Sequence, residues 1–116
     1  MRHGADKGFF SQLASFNDSF SSRLPATLER MGAVAAALDP RAPAAAADEL
    51  QAMLHTVAGS AATFGYRGLG HHARALEQRL RVLMTFDAVA ASDWAMWVAE
   101  LEAFVEAGRR DPRALN

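Results

Sequence analysis

Apolar residues recur every three or four positions along nearly the whole chain, and no run alternates with a period of two. That periodicity predicts helices and no strands. A short first helix is expected from Lys7 to about Phe16, with Phe9, Phe10, Leu13 and Phe16 as its apolar positions. A second is expected from about Asp18 to Leu38, carried by Phe20, Leu24, Leu28, Met31 and Ala35. Pro25 lies inside this pattern, and a near-continuous helix with a kink is the preferred reading. Asp39-Pro40-Arg41-Ala42-Pro43 then reads as a linker, because its prolines and aspartate stop a helix. The third helix starts near Pro43 or Ala44 and ends at Gly65, a residue suited to the position just past a helix. A fourth covers Arg67 to Met84 and is broken by Thr85-Phe86-Asp87. The segment Ala88-Val89-Ala90-Ala91 is ambiguous. Ser92 can cap a fifth helix bearing Trp94, Trp97, Val98, Leu101, Phe104 and Val105, with Gly108 as its end.

Short connections favour antiparallel neighbours. The fold expected is therefore all-α: an antiparallel up-down four-helix bundle with a short extra N-terminal helix capping one end. Residues 1–116 form one domain, with 1–6 and 109–116 as loose tails. The two tryptophans read as core or rim aromatics.

Composition narrows the function classes. The chain has 116 residues, a size suited to one domain, and 51% of them are hydrophobic, enough for a packed core. The net charge of −1 gives no basic stripe for nucleic acid. There is no cysteine, which removes disulfides, thiolate catalysis and cysteine-based zinc sites and fits a reducing cytoplasm. No run of about 20 apolar residues suggests a membrane span, and the polar start does not resemble a signal peptide.

His55 is the residue that needs explaining. On the third helix, at about 100° per residue, Leu50, Leu54, Val57, Ala61 and Phe64 fall in one narrow arc, flanked by Met53. His55 lies roughly 140° from the centre of that arc and so faces solvent. Around it are Gln51, Ala52, Ala58 and Gly59, one turn away, and Ala62, two turns on. An exposed helix face is ordinarily filled with long charged side chains; this one is nearly bare. Gly59 costs about 1 kcal/mol relative to alanine inside a helix. Either a partner must come close to the imidazole, or an alanine-rich helix carries an incidental histidine and a tolerated glycine.

The stretch His55-Thr56-Val57-Ala58-Gly59-Ser60-Ala61-Ala62-Thr63-Phe64-Gly65, followed by Leu69 and Ala73-Arg74-Ala75-Leu76-Glu77, resembles a histidine-containing phosphotransfer (HPt) domain. That family's motif is His-x-Leu-Lys-Gly-Ser, then a helix-ending glycine, then a Leu-Glu pair in the next helix. The resemblance extends from about Phe16 to Phe104. It implies a phosphoryl carrier, not an enzyme, which accepts the group on His55 from a receiver domain's phospho-aspartate in a multistep two-component relay and passes it to another receiver. Histidine suits the task, because much of it is neutral and nucleophilic near neutral pH. The resemblance places Glu77 beside the imidazole, where a bond to Nδ1 would fix tautomer and orientation; the ordinary alternative is a solvated glutamate paired with Arg81 four residues on. The family lysine three residues after the histidine is Ala58 here. Arg74 and Arg81 are candidate substitutes, with the partner's own metal and lysine as the other source of positive charge. Gln51, Ala52 and Ala62 complete the expected docking face.

The implied partners are response-regulator receiver domains and a hybrid histidine kinase, met by a monomeric, cytoplasmic protein of bacterial type. No cofactor of its own is expected: the chain lacks a Gly-rich phosphate loop and clustered acidic residues, so Mg2+ should reside on the partner. No metal site is expected either. His71 and His72 point about 100° apart, the first exposed and the second partly buried. Ser60 and Thr63 lack a base. The competing reading is a helical adaptor that binds receiver domains or other signalling partners without carrying phosphate, and Ala58 is the feature that favours it.

Overall fold

The structure is a computed structural model that describes residues 2–115, and within them every side chain except those of residues 2–7, 9, 10 and 13. The described residues form four helices and no strand: α1 (Arg2–Ala36), α2 (Ala44–Thr63), α3 (Arg67–Met84) and α4 (Ala91–Arg110). Each packs on its neighbours in sequence, and α1 closes the ring against α4. The pairings are antiparallel. His55 on α2 meets Glu77 on α3, while Gly70, a turn and more earlier on α3, lies against Ala58 and Ala62. Leu28 of α1 lies by Gly108 of α4, and Gly32 by Val105. The predicted up-down bundle is therefore the fold.

The bundle's interior is a single cluster with contributions from all four helices. Leu24, Leu28, Met31, Val34 and Ala35 come from α1, and Ala47, Leu50, Leu54, Val57, Ala58 and Ala61 from α2. Leu69, Ala73, Leu76 and Leu80 come from α3, and Trp94, Trp97, Leu101, Phe104 and Val105 from α4. Their spacing of three and four is the reason each segment is a helix here: one stripe of each is removed from water, at about 25 cal/mol per Å² of apolar surface buried.

Several boundaries differ from expectation. The two predicted N-terminal helices are one, because Asn17 and Asp18 between them are not breakers, and the backbone is already helical at Arg2, inside the expected tail. The apolar positions Phe9, Phe10 and Leu13 lie outside the described side chains. Pro25 sits within α1, on its exposed side. Ser92 does not cap α4; the helix starts one residue earlier, behind an extended Ala90, and Asp93 supplies a negative charge in its first turn. Gly108 does not end α4. It is buried, and a Cβ there would meet Leu28 Cδ1 at 3.0 Å and Leu69 Cδ1 at 3.3 Å, so it lets three helices approach. The segment beyond α4 is docked: the Arg113 guanidinium lies 4.5 Å from the Tyr66 ring centroid, and Leu115 packs on the core.

The turn between α2 and α3 is built as the sequence suggests. Gly65 has φ +88°, the left-handed conformation that side chains disfavour. Tyr66 N–H donates back to Ala61 O at 2.9 Å, and Phe64 N–H to Ser60 O at 3.1 Å, which satisfies carbonyls at the helix end.

Candidate functional site

With Leu54 and Val57 held in the core, the intervening His55 is turned outward. Its side chain is 76% exposed. Its Nδ1 faces the Glu77 carboxylate from α3, 3.2 Å from Oε2 and 3.4 Å from Oε1. An ionised carboxylate only accepts, so Nδ1–H is the donor and Nε2 is left with its lone pair toward solvent. Glu77 is the one buried charged side chain among the described residues, 8% exposed. Burial of a carboxylate costs free energy unless it is paired. Here it has His55 on one side and Arg81 Nε, 3.8 Å from Oε2, on the other.

The expected pairing of Glu77 with Arg81 thus exists, but the solvated glutamate does not: the same carboxylate also holds the imidazole. Its helix is anchored at that level, because Trp97 Nε1–H donates to the carbonyl of Leu76 at 3.0 Å. Trp97 is buried as a core aromatic, and this further tie had no sequence signal, since it depends on which carbonyl α4 meets.

The bare face is largely as expected. Ala52, Thr56, Gly59 and Ala62 are exposed and Gln51 is half-buried. A Cβ added at Gly59 would have nothing within 4 Å. Ala58 is the exception. It is only 3% exposed, and it belongs to the seam between α2 and α3 rather than to the open face. The cause is Gly70, whose hypothetical Cβ would lie 3.3 Å from Ala58 O and 3.4 Å from Ala62 N, so the two backbones come close. The helical wheel of α2 could not show on which side α3 lies.

Arg74 and Arg81 are both exposed. Arg81 is engaged with Glu77, whereas Arg74 makes no ion pair among the described residues. His71 is exposed as expected. His72 is exposed too, contrary to expectation: its ring lies at the edge of the bundle, 6.3 Å from Phe104 between centroids, with Nδ1 3.3 Å from Gly68 O. No group of three or more His, Asp or Glu among the described residues is arranged to hold a metal ion. Among the described residues, no helix is long and apolar enough to cross a membrane.

The site is therefore a single nucleophilic nitrogen on an open helix face, its ring steered by a buried acid on the next helix. The family model described as Hpt domain matches residues 18–111, a span that contains His55, Glu77 and all the core-forming turns of the four helices. No curated protein and no solved structure matches the chain. With the match covering most of its length, the chain belongs to the Hpt domain family, the histidine phosphotransfer domains that work with receiver domains and kinases in two-component signalling.

Proposed function

We propose that the protein carries a phosphoryl group on Nε2 of His55 between response-regulator receiver domains in a multistep phosphorelay. The observation that carries this reading is the pairing of an exposed ring with a buried acid: Nδ1 is tied to Glu77 and Nε2 is free. In the transfer, the Nε2 lone pair attacks phosphorus in line with the P–O bond to the partner's aspartate. That bond breaks and the carboxylate leaves with its electron pair. The phosphorylated ring keeps its Nδ1 proton and is positively charged, and the Glu77 carboxylate beside it stabilises that charge. Because the acid is fixed before the partner arrives, no reorganisation is needed at the moment of reaction.

Reversal of the same step onto a second receiver's aspartate completes the relay. Magnesium belongs to the receiver, where it neutralises the phosphoryl oxygens; this chain supplies the nucleophile and its orientation. The alanine and glycine surroundings of His55 let the partner's active-site loops approach the ring, and a monomer acting in the cytoplasm fits this transient use.

The test is incubation with a receiver domain charged by a small-molecule phosphoryl donor and Mg2+. Acid-labile, alkali-stable label should appear on the wild-type chain and be absent from His55→Gln. Receiver binding without label on the wild type would replace this reading with the adaptor; label persisting in His55→Gln would move the site elsewhere.

A further inference from the structure

The seam between α2 and α3 fixes which residues stand at the level of the phosphoryl group. His55 faces Glu77, and two turns further along α2, Ala62 faces Gly70, two turns earlier on α3. The helices run past each other residue for residue. Arg74, three positions before Glu77, is therefore level with Ala58 and Gly59, three and four positions after His55. It shares the α2-facing edge of α3 with Gly70 and Glu77, displaced toward solvent.

Three further observations single it out. Ala58 is buried under the close backbone approach at Gly70, so no long side chain from α2 occupies this level of the seam. Gly59 beside it leaves open space. And Arg74 has no carboxylate partner among the described residues, whereas Arg81 is engaged by Glu77 and Arg30 by Glu49. Arg23 lines a groove with Thr56 and Ser60, on the α1 side of α2, away from Glu77.

We propose that Arg74 is the residue that neutralises the phosphoryl group on His55, and that Arg81 serves the Glu77 carboxylate instead. The proposal rests on phosphorylation of His55 itself, but not on relay through receivers. The guanidinium donates to phosphoryl oxygens whose charge is greatest in the phosphohistidine and falls in a loose, metaphosphate-like transition state. It therefore holds the ground state more firmly than the transition state and lengthens the life of the phosphorylated ring.

The experiment uses the full chain phosphorylated chemically with phosphoramidate, so that no receiver is needed, and follows the phospho-His55 signal by 31P NMR. Arg74→Ala should hydrolyse about 1.5- to fivefold faster than wild type, the range for a solvent-exposed ion pair. Arg74→Lys should recover most of the lifetime, since charge is retained. Added salt should shorten the wild-type lifetime toward that of Arg74→Ala and leave the variant nearly unchanged. Arg79→Ala, on the α4 side of α3 and paired with Glu100, is the control and should behave as wild type. The proposal is overturned by an unchanged lifetime in Arg74→Ala, by an equal or larger loss in Arg81→Ala or Arg23→Ala, or by His55 refusing phosphoramidate. A stable phospho-His55 that no receiver accepts or supplies would instead refute the relay and leave this assignment standing.

Discussion

At the scale of single residues, the site depends on what is missing beside His55 as much as on what is present. Leu54 and Val57 are drawn into the core, so His55 is turned outward, and Glu77 then fixes its ring. Gly59 contributes only space. An added methyl group there meets nothing, and alanine is the better helix former by about 1 kcal/mol. Gly59→Ala should therefore raise the melting temperature by about 4 °C in a thermal melt followed by circular dichroism. If the gap exists for a visiting receiver, the same variant should transfer phosphoryl groups more slowly in a single-turnover assay. A gain in stability with undiminished transfer would show that the gap does nothing for docking.

At the scale of elements, the decisive contact is between α2 and α3. The distance between those helices sets the distance from Nδ1 to the Glu77 carboxylate, and Gly70 sets the distance between the helices. A Cβ at position 70 would press on Ala58 O, Ala62 N and Ala61 Cβ at 3.3–3.5 Å. Two of those are backbone atoms, which can yield only if the helices part. The gain in helix propensity from Gly70→Ala is about 1 kcal/mol, and overpacking a tight contact costs about 1–3 kcal/mol. The variant should be net destabilised by about 1 kcal/mol in urea titration. It should also weaken the His55–Glu77 bond, read as loss of the Nδ1–H tautomer in 15N spectra. A variant more stable than wild type would mean that the seam has slack. Helix ends were legible where chemistry acts locally. Pro43, Gly65 and the Thr85-Phe86-Asp87 break fall where predicted. Gly108 did not act as a terminator, because a tertiary contact overrode the local preference, and Ser92 falls inside a helix whose N-cap, Ala90, makes no side-chain bond.

At the scale of the whole molecule, the helices are unequal. α1 has 35 residues, about 52 Å of helix at 1.5 Å per residue, against 18 to 20 residues in the other three. The longest dimension, 61 Å, is more than twice the other two, 26 and 20 Å. Among the described side chains, the first of α1 in the core is Leu24; Phe20 is half-buried on Phe64 and Tyr66, and Phe16 is 60% exposed. The family match likewise starts at residue 18. A chain beginning at Phe16 should therefore fold and melt within about 2 °C of the full chain, because the described side chains before Phe16 are all exposed. A loss of more than about 5 °C would show that the first turns of α1 carry stability of their own. The opposite end behaves differently. Arg113 and Leu115 lie on Tyr66 and on the α3–α4 edge, so the segment expected to be loose contributes contacts.

The sequence by itself determined the helices, their antiparallel order and the outward turn of His55, because these follow from the spacing of apolar side chains along one chain and from local turn chemistry. The resemblance to the family around His55, and not the spacing, pointed to Glu77 as its companion. Only the tertiary structure decided how deeply that carboxylate is buried and that Ala58 belongs to a seam and not to the open face. Those are distances between helices. They depend on how closely two backbones approach at Gly70, and no periodicity within either helix contains that quantity.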